Sequence, residues 1–235
     1  MKDSNRAMLS AMADRLGPLL ERVVFVGGCA TGLLVTDRTA PPIRTTEDVD
    51  VITQVASYYE YQELAQELRR LGFAEDTREG APLCRWVIDN LTLDLMPTDS
   101  QVLGFSNRWY EPAIQTAVLR RIGNRGIRLI TAPYFLATKL TAFKSRGNGD
   151  YWGSRDMEDV VTVIDGRPRL LKEVPAADGE VRAFLAEALS DRLNDPEFHH
   201  ALPGYLPPDA ASQGRVPLVF SRMKALIEAA ARRVR

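Results

Sequence analysis

The sequence predicts an α/β or α+β fold on a single sheet, and three observations carry that expectation. A wholly apolar run, Val23-Val24-Phe25-Val26, ends in Gly27-Gly28. A second β-forming run, Val49 to Ile52, follows it. Apolar residues at helical spacing separate the strands and dominate the chain beyond residue 131. The order β-α-β-α-β-β is that of one sheet with helices packed on it.

Taken in order, Met8, Leu9, Met12, Leu16, Leu19 and Leu20 recur at helical spacing and predict an opening amphipathic helix. Val23–Val26 consists of β-formers only and predicts a buried strand. Gly27 and Gly28 end it, and a helix starts over Cys29–Leu34. Residues 36–46 are polar and contain Pro41-Pro42, so they form a loop. Tyr61, Leu64, Ala65, Leu68 and Leu71 share one helical face, and Gly72 stops that helix. Trp86–Ile88 and Leu91–Met96 read as a hairpin around Asp89-Asn90, since both residues tolerate positive φ. Pro133 suits a first helical turn, followed on one face by Phe135, Leu136, Leu140 and Phe143, with a break at Gly147-Asn148-Gly149. Further helices are predicted around Met157–Ile164, Glu180–Leu193 and Leu218–Val234, with a connector from Pro203 to Pro208. The organisation expected is a core over 1–130 and a helical C-terminal region over 131–235 that completes a cleft.

Composition narrows the chemistry. Of 235 residues, 45% are hydrophobic and 26% charged, which predicts a folded globular chain. A formal net charge of −1 excludes a general polyanion binder, so any nucleic-acid contact must be local. Cys29 and Cys84 are far apart, and His199 and His200 are the only histidines, which argues against a disulfide framework or a zinc site. The absence of a long apolar run or a signal pattern predicts a cytoplasmic protein with no membrane partner.

Asp48 and Asp50 fall on one face of a strand, with Cα atoms roughly 7 Å apart. Carboxylates so placed repel unless a cation lies between them, and Mg²⁺ favours a few carboxylates with phosphate oxygens and water. In the strand Leu91–Met96 the leucines share one face and Asp94 the other. Asp94 beside the Asp48/Asp50 pair would make a three-acid nest for two metals, an arrangement that clamps a phosphoryl displacement. Solvated aspartates at a strand end are the plainer alternative. Gly27-Gly28, between a buried strand and a helix start, places free N–H groups where they favour phosphate, although glycine is common in such turns. Lys139 shares the apolar face of Phe135, Leu136 and Phe143, where it either snorkels outward or reaches an anion. In Arg155-Asp156-Met157-Glu158-Asp159, Asp156 sits at the edge of the apolar face, while Glu158 and Asp159 are expected to turn further toward solvent. Residues 120–155 hold Arg120, Arg121, Arg125, Arg128, Lys139, Lys144, Arg146 and Arg155 against Asp150 alone. Such a segment suits triphosphate or an RNA backbone, or forms a solvated face.

These motifs, over residues 23–160, resemble the nucleotidyltransferase superfamily, and within it the AbiEii/AbiGii (MenT-like) toxin group. The matching pieces are Phe25-Val26-Gly27-Gly28, Arg44-Thr45-Thr46-Glu47-Asp48-Val49-Asp50-Val51, Leu93-Asp94-Leu95, Leu136-Ala137-Thr138-Lys139-Leu140 and Arg155–Asp159. The resemblance implies a mixed sheet flanked by helices. It implies Mg²⁺, or Mn²⁺, on Asp48, Asp50 and Asp94, with Asp94 as ligand or base. Gly27, Gly28, Thr46 and Lys139 would bind the NTP, and Asp156 would be the last catalytic acid. The activity implied is NMP transfer from an NTP to a tRNA 3′ end, by a toxin with a cognate antitoxin or a phage-defence role. A protein or small-molecule acceptor, and a non-catalytic nucleotide-binding module, are the alternatives. Many superfamily members carry Gly-Ser where this chain has Gly27-Gly28.

Overall fold

The computed structural model describes residues 4–146 and 150–232, so the break expected at Gly147-Asn148-Gly149 lies outside the described residues. The chain forms two compact units, Met1–Gly32 with Arg44–Thr131, and Leu33–Ile43 with Ala132–Arg235. Segment 33–43, early in sequence, thus belongs to the later unit.

The first unit opens with α1 (Ser4–Leu16) and a 3-10 turn, Gly17–Glu21. The apolar pattern predicts one helix through Leu20, but Gly17 takes φ +51° and is followed by Pro18, which lacks an N–H. Leu19 and Leu20 remain buried in the tighter turn. There follow β1 (Val23–Val26), α2 (Gly27–Leu34), β2 (Val49–Thr53), α3 (Tyr58–Arg70), β3 (Ala74–Glu75), β4 (Arg85–Ile88) and β5 (Leu91–Pro97). Then come α4 (Ser100–Leu103), α5 (Tyr110–Gln115), β6 (Val118–Ile122) and β7 (Arg125–Leu129).

The strands form one mixed sheet in the order β3-β4-β5-β2-β1-β7-β6. Strand β1 lies between antiparallel β2 and parallel β7, which is why all four of its side chains are apolar and buried. Strands β2 and β5 run parallel, and β4–β5 is the expected hairpin, with Ile88 opposite Leu91 and Asp89 at φ +50°. The fold class is therefore α/β with a mixed sheet and flanking helices, as the sequence predicts. The β6–β7 hairpin was not expected.

The second unit is helical: α6 (Ala132–Arg146), α7 (Arg155–Gly166), α8 (Leu170–Ala176), α9 (Gly179–Leu193), α10 (Pro196–Ala201), a 3-10 turn at Leu202–Tyr205, α11 (Ala210–Gln213) and α12 (Val216–Ala231). Its core includes Phe143 stacked on Tyr151 at 5.0 Å, with Phe198 tilted against Tyr151 at 5.5 Å.

Segment 33–43 is fastened to this unit by polar contacts. The Thr36 and Asp37 amides both donate to the Gly166 carbonyl at 2.8 Å. Arg215 bridges Asp37 at 3.1 Å and the fully buried Asp165 at 2.7 Å. The Thr39 hydroxyl and amide donate to Asp37, and with Arg215 they hold its pKa at about 2, below the ordinary 3.8. A carboxylate with a depressed folded pKa adds stability above its unfolded pKa and loses it as pH falls through the folded one. We expect the urea midpoint of the wild type to fall between about pH 4 and 2 more steeply than that of Asp37→Asn. Parallel curves would show that Asp37 adds nothing.

Candidate active site

Three carboxylates and a guanidinium share one face of the sheet. In the parallel β2–β5 pair Asp50 is in register with Asp94. Asp48 lies two residues before Asp50, on the same face. In the β4–β5 hairpin Arg85 is in register with Asp94. Arg85 grips Asp94 with both arms of its fork, Nε to Oδ1 at 2.8 Å and Nη2 to Oδ2 at 2.7 Å. The same Nη2 reaches Asp48 Oδ2 at 2.9 Å. Bidentate guanidinium–carboxylate pairs are among the stronger charge-assisted contacts. The Asp94 hydrogen bonds, with the charges of Asp94 and Asp48, raise the Arg85 pKa further above its already high value.

Arg85 did not stand out in the sequence, yet a signal for it was there. A two-residue turn at Asp89-Asn90 sets Ile88 against Leu91, and counting outward sets Arg85 against Asp94.

Gly27 is tied to Asp50. It sits at φ +67°, and a Cβ built there would lie 1.8 Å from Asp50 Oδ2 and 2.4 Å from its Cγ. No side chain fits at that point. The Asp50 carboxylate thus packs against the glycine turn that opens α2, with buried Gly28 next in sequence. A phosphate over that helix start would meet N–H groups and the positive end of the helix dipole.

Thr46, expected at the nucleotide, is buried and engaged in the protein. Its amide donates to Asn5 Oδ1 at 3.0 Å, and its hydroxyl lies 3.5 Å from the Asp48 carbonyl. Asn5 also donates to the Arg44 carbonyl at 2.9 Å. One amide side chain on α1 therefore holds the segment 44–46 that leads into Asp48.

In the second unit Lys139 is buried, with Nζ 3.0 Å from Asp156 Oδ1 and 2.7 Å from Asp159 Oδ2. The expectation that Asp159 turns toward solvent is corrected: it is 1% exposed. Asp156 and Asp159 are three apart on α7, so one face of that helix offers both to the ammonium. Lys139 is thus held between two acids, whereas the sequence alone left it to snorkel or to reach an anion.

The basic segment 120–155 is divided in the fold. Arg120, Arg121, Arg125 and Arg128 lie on the β6–β7 hairpin of the first unit. Arg125 pairs with Asp14 at 2.9 Å, and Arg128 caps the carbonyls of Glu21 and Ile114. Arg120 and Arg121 are exposed. Lys139, Lys144 and Arg155 belong to the second unit.

Among the described residues, no three carboxylate, imidazole or thiol groups converge as a ready-made metal cage. Where the sequence led us to place a third ligand, both oxygens of Asp94 accept from Arg85. Asp48 and Asp50 carry hard oxygen donors of the kind that suits Mg²⁺, which takes one or two carboxylates beside phosphate oxygens and water. Among the described residues, no helix is long and apolar enough to cross a membrane.

Comparison with protein-family models and with curated proteins gives no match. Among solved structures, the chain is similar to an antigenic nucleotidyltransferase-like protein from Paracoccidioides brasiliensis, at 22% identity and a TM-score of 0.48, over 86% of this chain and 93% of that one. It is also similar to a proposed nucleotidyltransferase from H. pylori, at 12% identity and a TM-score of 0.49, over 98% of this chain and 94% of that one.

Proposed function

We propose that the protein is a Mg²⁺-dependent nucleotidyltransferase that moves an NMP from an NTP to an acceptor hydroxyl. The observation that carries this reading is the joint placement of Asp50 against the Gly27 turn and beside Asp48 and Asp94 on one sheet face. A triphosphate lying over the α2 start would meet backbone donors at one end and carboxylates able to share a cation at the other. In the reaction the acceptor oxygen bonds to the α-phosphorus, the α–β bridging P–O bond breaks, and pyrophosphate leaves. Mg²⁺, when bound, would neutralise phosphate charge and orient the triphosphate. Asp48 and Asp50 would hold the ion. Gly27 and Gly28 would let the chain approach the phosphates. Asp94 would anchor Arg85, since both its oxygens accept from that side chain.

As their motif match implies, Lys139 would be a phosphate contact and Asp156 the last acid. Lys139 would have to share its charge with Asp156 and Asp159 to do so. The finer reading is a toxin of the AbiEii/AbiGii (MenT-like) kind, acting on tRNA 3′ ends and held by a cognate antitoxin in the cytoplasm. Arg120 and Arg121 supply exposed cations for an RNA backbone. The division of the other basic residues favours a second reading, in which the acceptor is a protein or a small molecule.

Incubation with each α-labelled NTP, Mg²⁺ and total tRNA tests this. Label should appear on RNA, and Asp48→Ala should lower the rate by at least about a hundredfold, the scale of one lost transition-state contact. Label on protein or a small molecule would select the second reading. Identical behaviour of wild type and Asp48→Ala with every acceptor would end the enzymatic one.

A further inference from the structure

The sheet face that carries Arg85 and Asp94 continues into an open hollow. Strand alternation puts Val87 on the same side of β4 as Arg85, and Thr92 on the same side of β5 as Asp94. Val87 and Thr92 are in register, two residues nearer the Asp89-Asn90 turn than Arg85 and Asp94. The opposite side of β4 holds buried Trp86, with the Arg69 guanidinium of α3 over its ring at 5.5 Å. On the Val87 and Thr92 side a cavity of about 450 Å³ remains, lined also by Asp76, Thr77, Arg78 and Asn90. Thr92 lies roughly 7 Å along its strand from Asp94. A cavity of that volume falls in the range that takes a small molecule.

The lining chemistry narrows what fits. The acids around the hollow are already paired. Asp76 accepts from the Arg78 amide, Nε and Nη2 at 2.6–3.1 Å. Glu75 pairs with Arg69 at 2.5 Å, and Asp89 with Arg15. Three acids against three arginines leave no formal net charge from these groups. A phosphate backbone would therefore find one lining cation, Arg78, that Asp76 already engages. Thr77, Thr92 and Asn90 add two hydroxyls and a carboxamide, neutral groups that both donate and accept. Val87 adds an apolar surface for the C–H face of a ring.

We propose that this hollow seats the acceptor, and that the acceptor is a small neutral polyol, a sugar or cyclitol, held by Thr77, Asn90 and Thr92 over Val87. This rests on the nucleotidyl-transfer reading above and selects its small-molecule branch. A hydroxyl at the Thr92 end of the bound ring points along the sheet face toward the acid cluster. In the transfer its oxygen bonds to the α-phosphorus, the α–β bridging P–O bond breaks, pyrophosphate leaves and the hydroxyl proton passes to water. The product is a phosphodiester between the polyol and the nucleoside.

The test supplies the full chain with each α-labelled NTP and Mg²⁺. Glucose, ribose and myo-inositol are the acceptor probes, with glucosamine and total tRNA beside them. Label should appear on at least one neutral polyol. Thr92→Val exchanges a hydroxyl for a methyl and should raise the KM for that polyol about three- to tenfold, the scale of one lost hydrogen bond. Its effect should fall on the KM for the polyol and not on that for the NTP. Val87→Phe fills the hollow and should abolish transfer to the polyol, while binding of a fluorescent NTP analogue persists. Circular dichroism identifies any variant that fails to fold, and Thr92→Val and Thr77→Val then decide. Label on RNA or protein but on no neutral polyol would overturn the assignment of the hollow and leave nucleotidyl transfer standing. An unchanged KM for the polyol in the folded variants, or preference for glucosamine over glucose, would overturn it too. No label on any acceptor would end the nucleotidyl-transfer reading, and this one with it.

Discussion

Replacing Gly27 with alanine should both destabilise the first unit and disable its site. The left-handed conformation of Gly27, φ +67°, costs an L-residue roughly 1–2 kcal/mol. The added Cβ would lie 1.8 Å from Asp50 Oδ2, so either the Asp50 side chain or the β1–α2 turn must shift. Overpacking of this kind typically costs about 1–3 kcal/mol more. We expect a total loss of about 2–5 kcal/mol in urea unfolding, with any folded fraction losing NMP transfer because Asp50 is displaced. Gly104→Ala is the control. Gly104 has φ +81° with nothing within 4 Å of its Cβ position, so it should lose only the roughly 1–2 kcal/mol of backbone strain and keep activity. Equal losses in the two variants would show that the Asp50 contact adds nothing.

Removal of the Lys139 charge should have the second large effect. Lys139→Met keeps most of the length and an apolar stem but leaves Asp156 and Asp159 buried without the ammonium between them. Breaking a buried pair by removing one partner typically costs about 3–5 kcal/mol. The expected outcome is a loss of that order, in part restored by Asp159→Asn in the Lys139→Met background. Were Lys139 to act on substrate alone, Lys139→Met would keep its unfolding midpoint and lose only activity. Unfolding curves and transfer assays on the same preparations separate these outcomes.

The legible parts of the fold were those whose pattern is local. Val23–Val26 is wholly apolar because it lies inside the sheet, and the Asp89-Asn90 turn fixes its hairpin without help from the rest of the chain. The β6–β7 hairpin escaped notice because Val118-Leu119-Arg120-Arg121-Ile122 does not alternate. Its strand lies at the sheet edge, with three consecutive exposed residues. The Gly123-Asn124 turn was its one clear signal, and Gly123 does take positive φ. Reading charge along the chain grouped these arginines with Lys139, although the fold divides them between two units.

At the site, the sequence makes the shared face of Asp48 and Asp50 legible, since it follows from strand periodicity. The environment of Asp94 depends on which residue lies across the hairpin, and that of Lys139 on which acids a separate helix turns toward it. Both are pairings between elements, and Asp159 was misplaced for that reason: its neighbours in sequence do not reveal the lysine it meets.

The clamp formed by Asn5 has a consequence for motion. The Thr46 amide is satisfied by a side chain on α1, not by a neighbouring strand. Opening of the first helix would therefore release the approach to Asp48 while the sheet stays paired. The order of this stretch is borrowed from an element about forty residues away in sequence, so α1 and the rim of the site should open and close together as one cooperative unit.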